Sequence, residues 1–465
     1  MSAFDIEQGK KILCQELNTG KAYTGFFYLD DKQISTEICS YDESFYLVPE
    51  KPIFLRTEKN QIVSLHSNIS NYPGSSIRTI EPKMETSKLH ISSNTAVIGH
   101  DRRETTDKLK RVTFLVRRAK DLLKHKEKFD ALAKRKIGDE YDSDLFSVTA
   151  SGMTIRAAYS SGYSLEYNAT TNITPYLEIE FPNGATLSDY LNHVGCLVEF
   201  FSFCLGAHMT PSEIRICRLL RDDFIAAVKA QAHPEDYAAH YIWPKIPVHE
   251  ALDLWVGGSL VKAWDEEELA VLKECITLWF GRDADWNKAN GQMMRCLALR
   301  QEFSADRLLT ACTWFEEIPL TRAQAAITDE HIELIAQAAA QKGSELGYTK
   351  IKGRITGALK SIRTESNEDR FLRLLNMIKQ KFGPAVVDDM IITHLKRALE
   401  LRGKSAHGHF SPADDAEFRA FVKSVCAMEA LCFLLTACDL PMTAAGIERA
   451  QSNPFIRDYR LVYGA

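Results

Sequence analysis

The sequence predicts an α+β protein, in which a β-rich N-terminal domain is followed by an all-α C-terminal helical bundle. Short segments rich in aromatic and β-branched residues, separated by Gly, Ser and Asn, recur as far as about residue 185. After Pro182-Asn183-Gly184 the apolar residues take helical spacing, and a series of capped helical runs follows. We therefore predict a first domain over 1–285, β-rich over 1–185 and helical over 186–285, and a helical bundle over 290–465.

The predicted strands are short and have the spacing of a meander or sandwich. In chain order they are Ala22–Leu29, Ser44–Val48, Ala96–Ile98, Leu145–Ser151, Thr154–Tyr159, Ser164–Tyr167 and Tyr176–Phe181. A basic segment, 101–137, lies between two groups of them and carries 14 Lys and Arg against 6 Asp and Glu, with Arg118–Lys136 predicted to be helical. It is either a surface for nucleic acid or another anionic partner, or a solvated helix face.

Each predicted helix begins at a residue suited to a helix start, and several end at Gly or before Pro. Thr186 or Ser188 caps a helix over Leu187–Leu205. In the second half, Ser304 caps Ala305–Glu317, Thr328 caps Asp329–Gln341 before Gly343, Asn367 caps Glu368–Phe382 before Gly383, Pro384 opens a helix to about Leu401, and Ser411-Pro412 opens one to about Asp439.

Composition narrows the class of protein. The chain is 45% hydrophobic and 26% charged, which is ordinary for a globular protein, and its formal net charge is −5. A generally cationic nucleic-acid binder is excluded, so any RNA contact needs a local basic surface. The 11 cysteines contain no C-x-x-C pair, and most lie in apolar helical patterns (Cys196, Cys204, Cys426, Cys432, Cys438), which predicts reduced, buried thiols. Without a signal peptide or an apolar run of about 20 residues, we expect a cytoplasmic protein with no membrane partner.

The stretch from Arg402 to His409 carries the candidate chemistry. Arginine binds a phosphate bidentately and histidine moves a proton near neutral pH, and Arg402 and His407 stand close together among small residues. Residues five apart diverge by about 140° on a regular helix, so the two side chains converge only if the helix ends or distorts, which Gly403, Ser405 or Gly408 permit. The alternative is that Arg402 and His407 neutralise the negative end of a helix.

Two other kinds of site fit poorly. Gly403-Lys404-Ser405 resembles the end of a P-loop, but Ala398 stands where the first glycine is needed and no strand precedes it. His249-Glu250 lacks the second histidine of a zinc-protease helix, and His233 and His240 have no third ligand nearby in sequence. We therefore predict no metal and no cofactor.

Arg402-x4-His407-Gly408 in a predicted C-terminal bundle resembles the R-x4–6-H signature of HEPN-domain proteins, and the segment 306–317 resembles an earlier helix of that domain. The N-terminal part resembles that of the ApeA group of bacterial anti-phage HEPN proteins. The similar features are the strand at Tyr23–Phe27, the strand at Leu177–Phe181 and the helix around 197–203. One departure is Gly403, where HEPN proteins often carry asparagine.

The resemblance implies a metal-independent endoribonuclease of abortive anti-phage defence. It would cleave cellular RNA, with tRNA among the candidates, when a phage structural protein such as a capsid protein triggers it. Many HEPN ribonucleases act as homodimers, which supply two histidines to one groove, so the resemblance implies a homodimer or a higher homo-oligomer. The apolar helices that follow Pro384 and Pro412 are either interface or core elements.

Residue roles follow from the same resemblance. Arg402 and His407 are the catalytic pair, and His409 competes for the histidine role. Lys404 or Ser405 would replace the missing asparagine side chain, and Glu316 or Glu317 would orient Arg402. Lys396 and Arg397 either guide the RNA backbone or are merely solvated. Two other functions stay open: a catalytically inactive HEPN module that binds RNA or protein, and an interaction protein in which the pair only caps a helix.

Overall fold

The computed structural model describes residues 10–19, 23–29, 34–40, 51–71, 87–135 without 105 and 121, 142–164, 169–230, 238–242, 258–348 without 283, 352–360, 363–406 and 412–464. The chain divides into two compact units. The first comprises Met1–Phe201, Met209–Glu250 and Lys262–Phe280, and the second Ser202–His208, Ala251–Val261 and Gly281–Ala465. The α+β prediction is confirmed, with an antiparallel sheet in the first unit and helices throughout the second.

The strands described in the first unit form one antiparallel sheet in the order β3-β2-β1-β4-β5-β6-β12-β11-β7-β10-β9-β8. They are β1 Lys11–Glu16, β2 Thr24–Leu29, β3 Ile34–Ser40, β4 Ile53–Thr57, β5 Ile62–Asn71, β6 Ser87–Gly99, β7 Leu109–Val116, β8 Asp144–Ala150, β9 Met153–Ser164, β10 Ala169–Ala185, β11 Pro211–Cys217 and β12 Ala238–Ile242.

The first six strands close into a barrel because β3 also pairs with β6. Alternate residues of each strand point inward, so Phe27 and Leu29 are buried while Phe26, which precedes them, is exposed. Ile38, Leu55 and other apolar side chains complete the interior. The long strand β6 then continues the sheet by pairing with β12.

The described helices are α1 Lys126–Ala133, α2 Leu187–Leu205, α3 Arg221–Lys229, α4 Glu266–Phe280, α5 Ala284–Ala298, α6 Ala305–Glu317, α7 Asp329–Glu345, α8 Lys352–Lys360, α9 Asn367–Phe382, α10 Ile391–Ala406, α11 Asp415–Cys438, α12 Ala444–Ala450 and α13 Pro454–Gly464. In the first unit, α1 packs on β10 and α4 packs on β8. In the second, α6 packs against α5, α10 and α11, while α11 also contacts α9, α10 and α13.

The predicted helix over 187–205 is confirmed as α2. Thr186 caps it, since its hydroxyl accepts the Asp189 N–H at 3.2 Å and its own N–H donates to the Asp189 carboxylate at 3.0 Å. The prediction that 186–285 is helical throughout misses β11 and β12. In β11 only Ile214 and Ile216 alternate with exposed Glu213 and Arg215, which is too short a period-two pattern to stand out from helix.

Other strand predictions differ mainly in length. The hairpin β8–β9 turns at Ser151-Gly152, where both residues have positive φ, as a two-residue hairpin turn requires. The predicted strand 176–181 is part of the longer β10. The predicted helix over 118–136 is shorter, because a 3-10 turn at Arg117–Lys120 precedes α1. The predicted strand 44–48 lies outside the described residues.

Helix α11 is the core of the second unit. All residues from Val425 to Ala437 are buried. Within the described part of the chain, it is the one helix long and apolar enough to cross a membrane, and 89% of its apolar window is buried inside the protein. Of the two alternatives for this helix, interface or core, the structure therefore supports the core.

A buried ion pair joins α6 to α11 inside this core. Arg307 is 0% exposed and Glu429 is 3% exposed. The Arg307 Nε donates to Glu429 Oε1 at 2.8 Å, and Nη2 donates to Oε2 at 2.7 Å. The carboxylate of Glu429 raises the pKa of the Arg307 guanidinium against the lowering effect of burial, which is the larger single influence. Sequence patterns gave no sign of this pair.

Helix starts confirm some predictions and correct others. Ser304 caps α6 as predicted, accepting the Arg307 N–H at 3.3 Å. Thr328 caps α7, but that helix runs through buried Gly343 and ends before Gly347, whose φ is +90°. The cap of α9 is Ser366 rather than Asn367.

Two predicted proline starts are wrong. Pro384 opens no helix, because Val386 and Val387 are both buried in successive turns, and α10 begins only at Ile391. Helix α11 begins at Asp415 rather than at Pro412, because the Asp414 carboxylate caps it and accepts the Glu417 N–H at 2.8 Å.

Two segments from the middle of the chain, Ser202–His208 and Ala251–Val261, belong to the helical unit, and Asn453 forms hydrogen bonds to both. Asn453 is fully buried, and its Nδ2 donates to the carbonyls of Cys204 and Gly258 at 3.2 and 3.1 Å. A Cβ on Gly206, whose φ is +59°, would lie 2.5 Å from Asn453 Oδ1. The chain therefore needs glycine at position 206 for both its backbone conformation and this close approach.

Candidate functional site

Helix α10 carries the candidate site at its C-terminal end. Ile391, Leu395, Ala398, Leu401 and Ser405 form its buried stripe, with the spacing of an amphipathic helix. Arg402 follows Leu401 at the edge of that stripe, and its side chain is 36% exposed. The helix thus holds the guanidinium at the boundary between core and solvent, where a bound phosphate has access to it.

Glu316 holds Arg402 in a two-pronged ion pair. Arg402 Nη1 contacts Glu316 Oε1, and Nη2 donates to Oε2 at 2.7 Å. Glu316 stands in the last turn of α6, and its side chain is 42% exposed. Of the two glutamates suggested by sequence, Glu316 therefore contacts the arginine. This arrangement fixes the plane and direction of the guanidinium.

The buried cysteine next to this ion pair is chemically inert. Cys312, one turn before Glu316 on α6, is buried, and its Sγ lies 3.9 Å from the Ala398 carbonyl of α10. Burial raises the pKa of its thiol to about 12, although the charge of Arg402 acts to lower it. A thiol of this kind is neither a nucleophile nor a ready metal ligand at neutral pH.

A second arginine, Arg370 of α9, lies in the electrostatic neighbourhood of Glu316. Its guanidinium is 4.5 Å from the centre of the Phe315 ring, and its Nε donates to the Thr321 carbonyl. Burial lowers the pKa of Arg370, while the Glu316 carboxylate is one of the charges that raise it. Arg370 was not predictable from the sequence, because only the packing of α9 brings it near the site.

The remaining predicted residues take different positions. Lys404 is exposed on the last turn of α10, whereas Ser405 is 8% exposed on the buried stripe, away from Lys404. The Ser405 Oγ has no hydrogen-bond partner among the described residues. Gly403 is exposed within the helix, and neither Gly403 nor Ser405 ends it, since α10 runs to Ala406. His407 and His409 lie outside the described residues.

The two cations suggested as RNA guides are already paired. The Lys396 ammonium lies 2.5 Å from the Glu368 carboxylate. Arg397 contacts Glu400 at 3.3 Å and Glu417 at 3.7 Å. Both pairs are partly exposed, so RNA phosphates would compete for these side chains at modest cost.

The basic segment 101–137 uses several cations internally. Arg111 contacts buried Glu178 at 3.3 Å, and Arg103 is itself buried. Lys128 pairs with Asp142. Because these cations are buried or paired, the contacts argue against a continuous nucleic-acid surface over this segment.

Possible metal ligands are scattered. Among the residues that the structure describes, no group of three or more His, Cys, Asp or Glu side chains is placed to hold a metal ion. His233 and His249 lie outside the described residues, and His240 lies in β12.

The comparisons with known proteins concern the N-terminal part of the chain. Residues 18–221 match the family described as ApeA N-terminal domain 1, a range that runs from the barrel to the start of α3. No curated protein matches the chain, and no solved structure matches it. The matched range contains the two strands and the helix on which the N-terminal resemblance rests. This part of the chain is therefore similar to the N-terminal domain of the ApeA group of anti-phage proteins.

Proposed function

We propose that the chain is a HEPN endoribonuclease of abortive anti-phage defence that cleaves cellular RNA without a metal. The observation that carries the proposal is the position of Arg402, partly exposed at the end of α10 and held in a fixed plane by Glu316. In the sequence His407 follows five residues later. An oriented guanidinium, with a histidine five residues later in the chain, is suited to stabilising and protonating a phosphodiester whose charge changes during the reaction.

The reaction begins with the ribose 2′-oxygen. This oxygen attacks the adjacent phosphorus, the bond to the 5′-oxygen breaks, and the products are a 2′,3′-cyclic phosphate and a 5′-hydroxyl. His407, with His409 as the alternative, moves a proton from the 2′-hydroxyl or to the leaving oxygen, a role worth roughly 10²–10⁴-fold. Arg402 stabilises the additional negative charge on the phosphorane, and such a donor contributes about 3–4 kcal/mol.

Proton transfer in two places favours a two-fold homodimer, because a second chain supplies a second histidine to the same groove. We propose that the protein acts in the cytoplasm, with tRNA among its RNA targets. A phage structural protein such as a capsid protein is the proposed trigger. The N-terminal domain would sense that trigger or restrain the nuclease.

The alternative function is an inactive HEPN module that binds RNA or a partner protein. Two observations favour it: Glu316 already neutralises Arg402, and Gly403 offers no side chain where HEPN proteins often carry asparagine. A ligand would then displace or share Glu316 without any bond breaking.

One experiment separates these functions. Full-length protein, with and without phage capsid protein, is incubated with total tRNA in EDTA, alongside Arg402→Ala, His407→Ala and His409→Ala. The matched control is Arg322→Ala, which removes another exposed arginine paired with a carboxylate, that of Asp285. We expect cleavage in EDTA that is lost in Arg402→Ala and in one histidine variant, and kept in the control.

The other outcomes support the alternative function or contradict the role of Arg402. RNA binding without cleavage in the triggered wild type supports the inactive module. Cleavage that survives Arg402→Ala contradicts the proposed role of the arginine. A lower melting temperature with unchanged activity in Arg402→Ala would show that the residue only stabilises the end of α10.

A further inference from the structure

Arg103 is a buried cation in the loop between β6 and β7. It is 2% exposed, and its backbone N–H donates to the Ser64 hydroxyl of β5 at 3.0 Å. Within the part of the chain that the structure describes, none of its three guanidinium nitrogens has a hydrogen-bond partner. Arginine stays charged in proteins, and a buried charge without a partner is strongly unfavourable. The side chain is thus available to a ligand of opposite charge.

Arg218, whose positive charge acts on Arg103, already has counter-charges. It follows β11, and its Nη2 lies 2.9 Å from Asp107 while its Nη1 lies 3.8 Å from Asp101. Burial first, and then the positive charge of Arg218, lowers the pKa of the Arg103 guanidinium, and the two aspartates only partly oppose this. Asp101 is 61% exposed, so solvent screens much of its charge. Arg103 therefore remains the uncompensated charge of the group.

The histidine near this group adds no positive charge. His66 of β5 is 4% exposed and lies near the Arg103 backbone and Asp107. Burial lowers the pKa of its imidazole, although both neighbours act to raise it, so the ring is neutral at pH 7. The two aspartates equal the two arginines in number, but among the described residues neither carboxylate lies within ion-pair distance of Arg103, so an anion bound there would supply the missing partner.

We propose that Arg103 and Arg218 form a binding site for a small, singly charged oxyanion, a carboxylate or a phosphate group of a small molecule. The planar guanidinium fork matches an anion with two neighbouring oxygens. The site joins the loop after β6 to the end of β11, and it lies inside the range 18–221 that matches the ApeA N-terminal domain. It goes beyond the proposed RNA cleavage and does not depend on it.

The test measures thermal unfolding of the full-length protein in sodium chloride, sodium formate and mildly acidic sodium phosphate at equal ionic strength. We expect formate or phosphate to raise the melting temperature in a saturable manner, because a ligand that binds only the folded state stabilises it. A response to formate alone identifies a carboxylate ligand, and a response to phosphate alone identifies a phosphate.

Variants of Arg103 and of a neighbouring arginine show whether the oxyanion acts at Arg103. Arg103→Met should lose the oxyanion response and melt at a higher temperature than wild type in chloride, because the uncompensated charge is gone. The matched control, Arg102→Met, removes a neighbouring arginine that donates to the Leu17 carbonyl, and it should keep the response. No response in wild type beyond that to chloride, or the same response in Arg103→Met, overturns the proposal.

If Arg103→Met does not fold, equilibrium dialysis with radiolabelled formate and phosphate decides. Wild type should bind about one saturable equivalent per chain, and Arg218→Met should bind at least about tenfold more weakly, a difference of about 1.4 kcal/mol. Absence of saturable binding to wild type, or equal affinity in Arg218→Met, overturns the proposal.

Discussion

Glu316 and Arg402 join the last turns of α6 and α10 through both oxygens of one carboxylate and two nitrogens of one guanidinium. The two residues are 86 positions apart in the chain, so the contact depends on the packing of the two helices. It gives the candidate site a fixed cation whose outward side remains accessible. The same contact also occupies two of the donors that a phosphate would use.

Replacing Glu316 shows whether this residue positions Arg402 for catalysis or blocks the candidate site. For Glu316→Gln we expect RNA cleavage to fall about 10-fold, mainly in kcat, because a neutral amide holds the guanidinium less firmly. Stability should change by less than about 1 kcal/mol, since the pair is partly exposed. Single-turnover kinetics measures the effect, with Glu317→Gln as the matched control. Faster cleavage in Glu316→Gln would instead show that Glu316 blocks the site.

The buried pair of Arg307 and Glu429 gives a stability prediction. Glu429→Ala should lower the free energy of unfolding by about 3–5 kcal/mol, because Arg307 then remains buried without a counter-charge. Denaturant unfolding followed by circular dichroism measures this. The double variant Arg307→Met with Glu429→Met should recover most of the loss, since it removes both charges and keeps apolar volume. A Glu429→Ala protein as stable as wild type would contradict this account.

Glu199 of α2 gives a prediction about pH. Burial raises the pKa of its carboxyl to about 7. The folded state then holds this proton at pH values where the unfolded chain has lost it, so the contribution to stability is full below about pH 4.5 and is lost as pH rises to about 7. Glu199→Gln should therefore be about 1–3 kcal/mol more stable than wild type at pH 8 and nearly equal at pH 4.

Denaturant unfolding across this pH range checks the prediction. Glu274→Gln, which changes an exposed glutamate of α4, is the control and should follow wild type. If the stability difference between wild type and Glu199→Gln is the same at every pH, Glu199 does not titrate in this range.

The cap of α6 can be tested separately. Ser304→Ala should cost about 1 kcal/mol of stability, because the Arg307 N–H loses its acceptor at the helix start. Ser344→Ala, at an exposed serine within α7, should change stability by less than about 0.5 kcal/mol. Equal effects of the two substitutions would show that Ser304 contributes nothing as a cap.

Local signals explain which elements the sequence predicted. α2 and α6 have a cap residue followed by apolar residues at helical spacing, and both were predicted with correct bounds. A helix start was wrongly predicted at Pro384 because proline suits a first helical turn. Burial of Val386 and Val387 favours turns at that point instead. β11 was not predicted from the sequence, because its strand conformation depends on pairing with β7 and β12, which are distant in sequence.

The candidate site was predictable only in part. Arg402 was predicted from its side-chain chemistry and from the resemblance, whereas Glu316 came from the resemblance alone. No local pattern shows that two residues 86 positions apart will meet. Arg370 and Arg103 were missed for a related reason: packing decides which cations become buried or unpaired. The buried thiols were predicted more easily, since Cys204, Cys426 and Cys432 lie in apolar runs, although Cys196 and Cys438 are only partly buried.

The hydrogen bonds of Asn453 have a consequence for how the protein can be divided. The helical unit contains residues 202–208 and 251–261, which precede most of it in the chain. A gene truncated to begin at Gly281 would therefore encode a helical unit without the carbonyls that Asn453 binds. A protease that cuts once between residues 280 and 281 would likewise separate most of the helical unit from its residues 202–208 and 251–261. Activation by proteolytic removal of the N-terminal domain is thus disfavoured, and the two units are expected to be inherited and exchanged together.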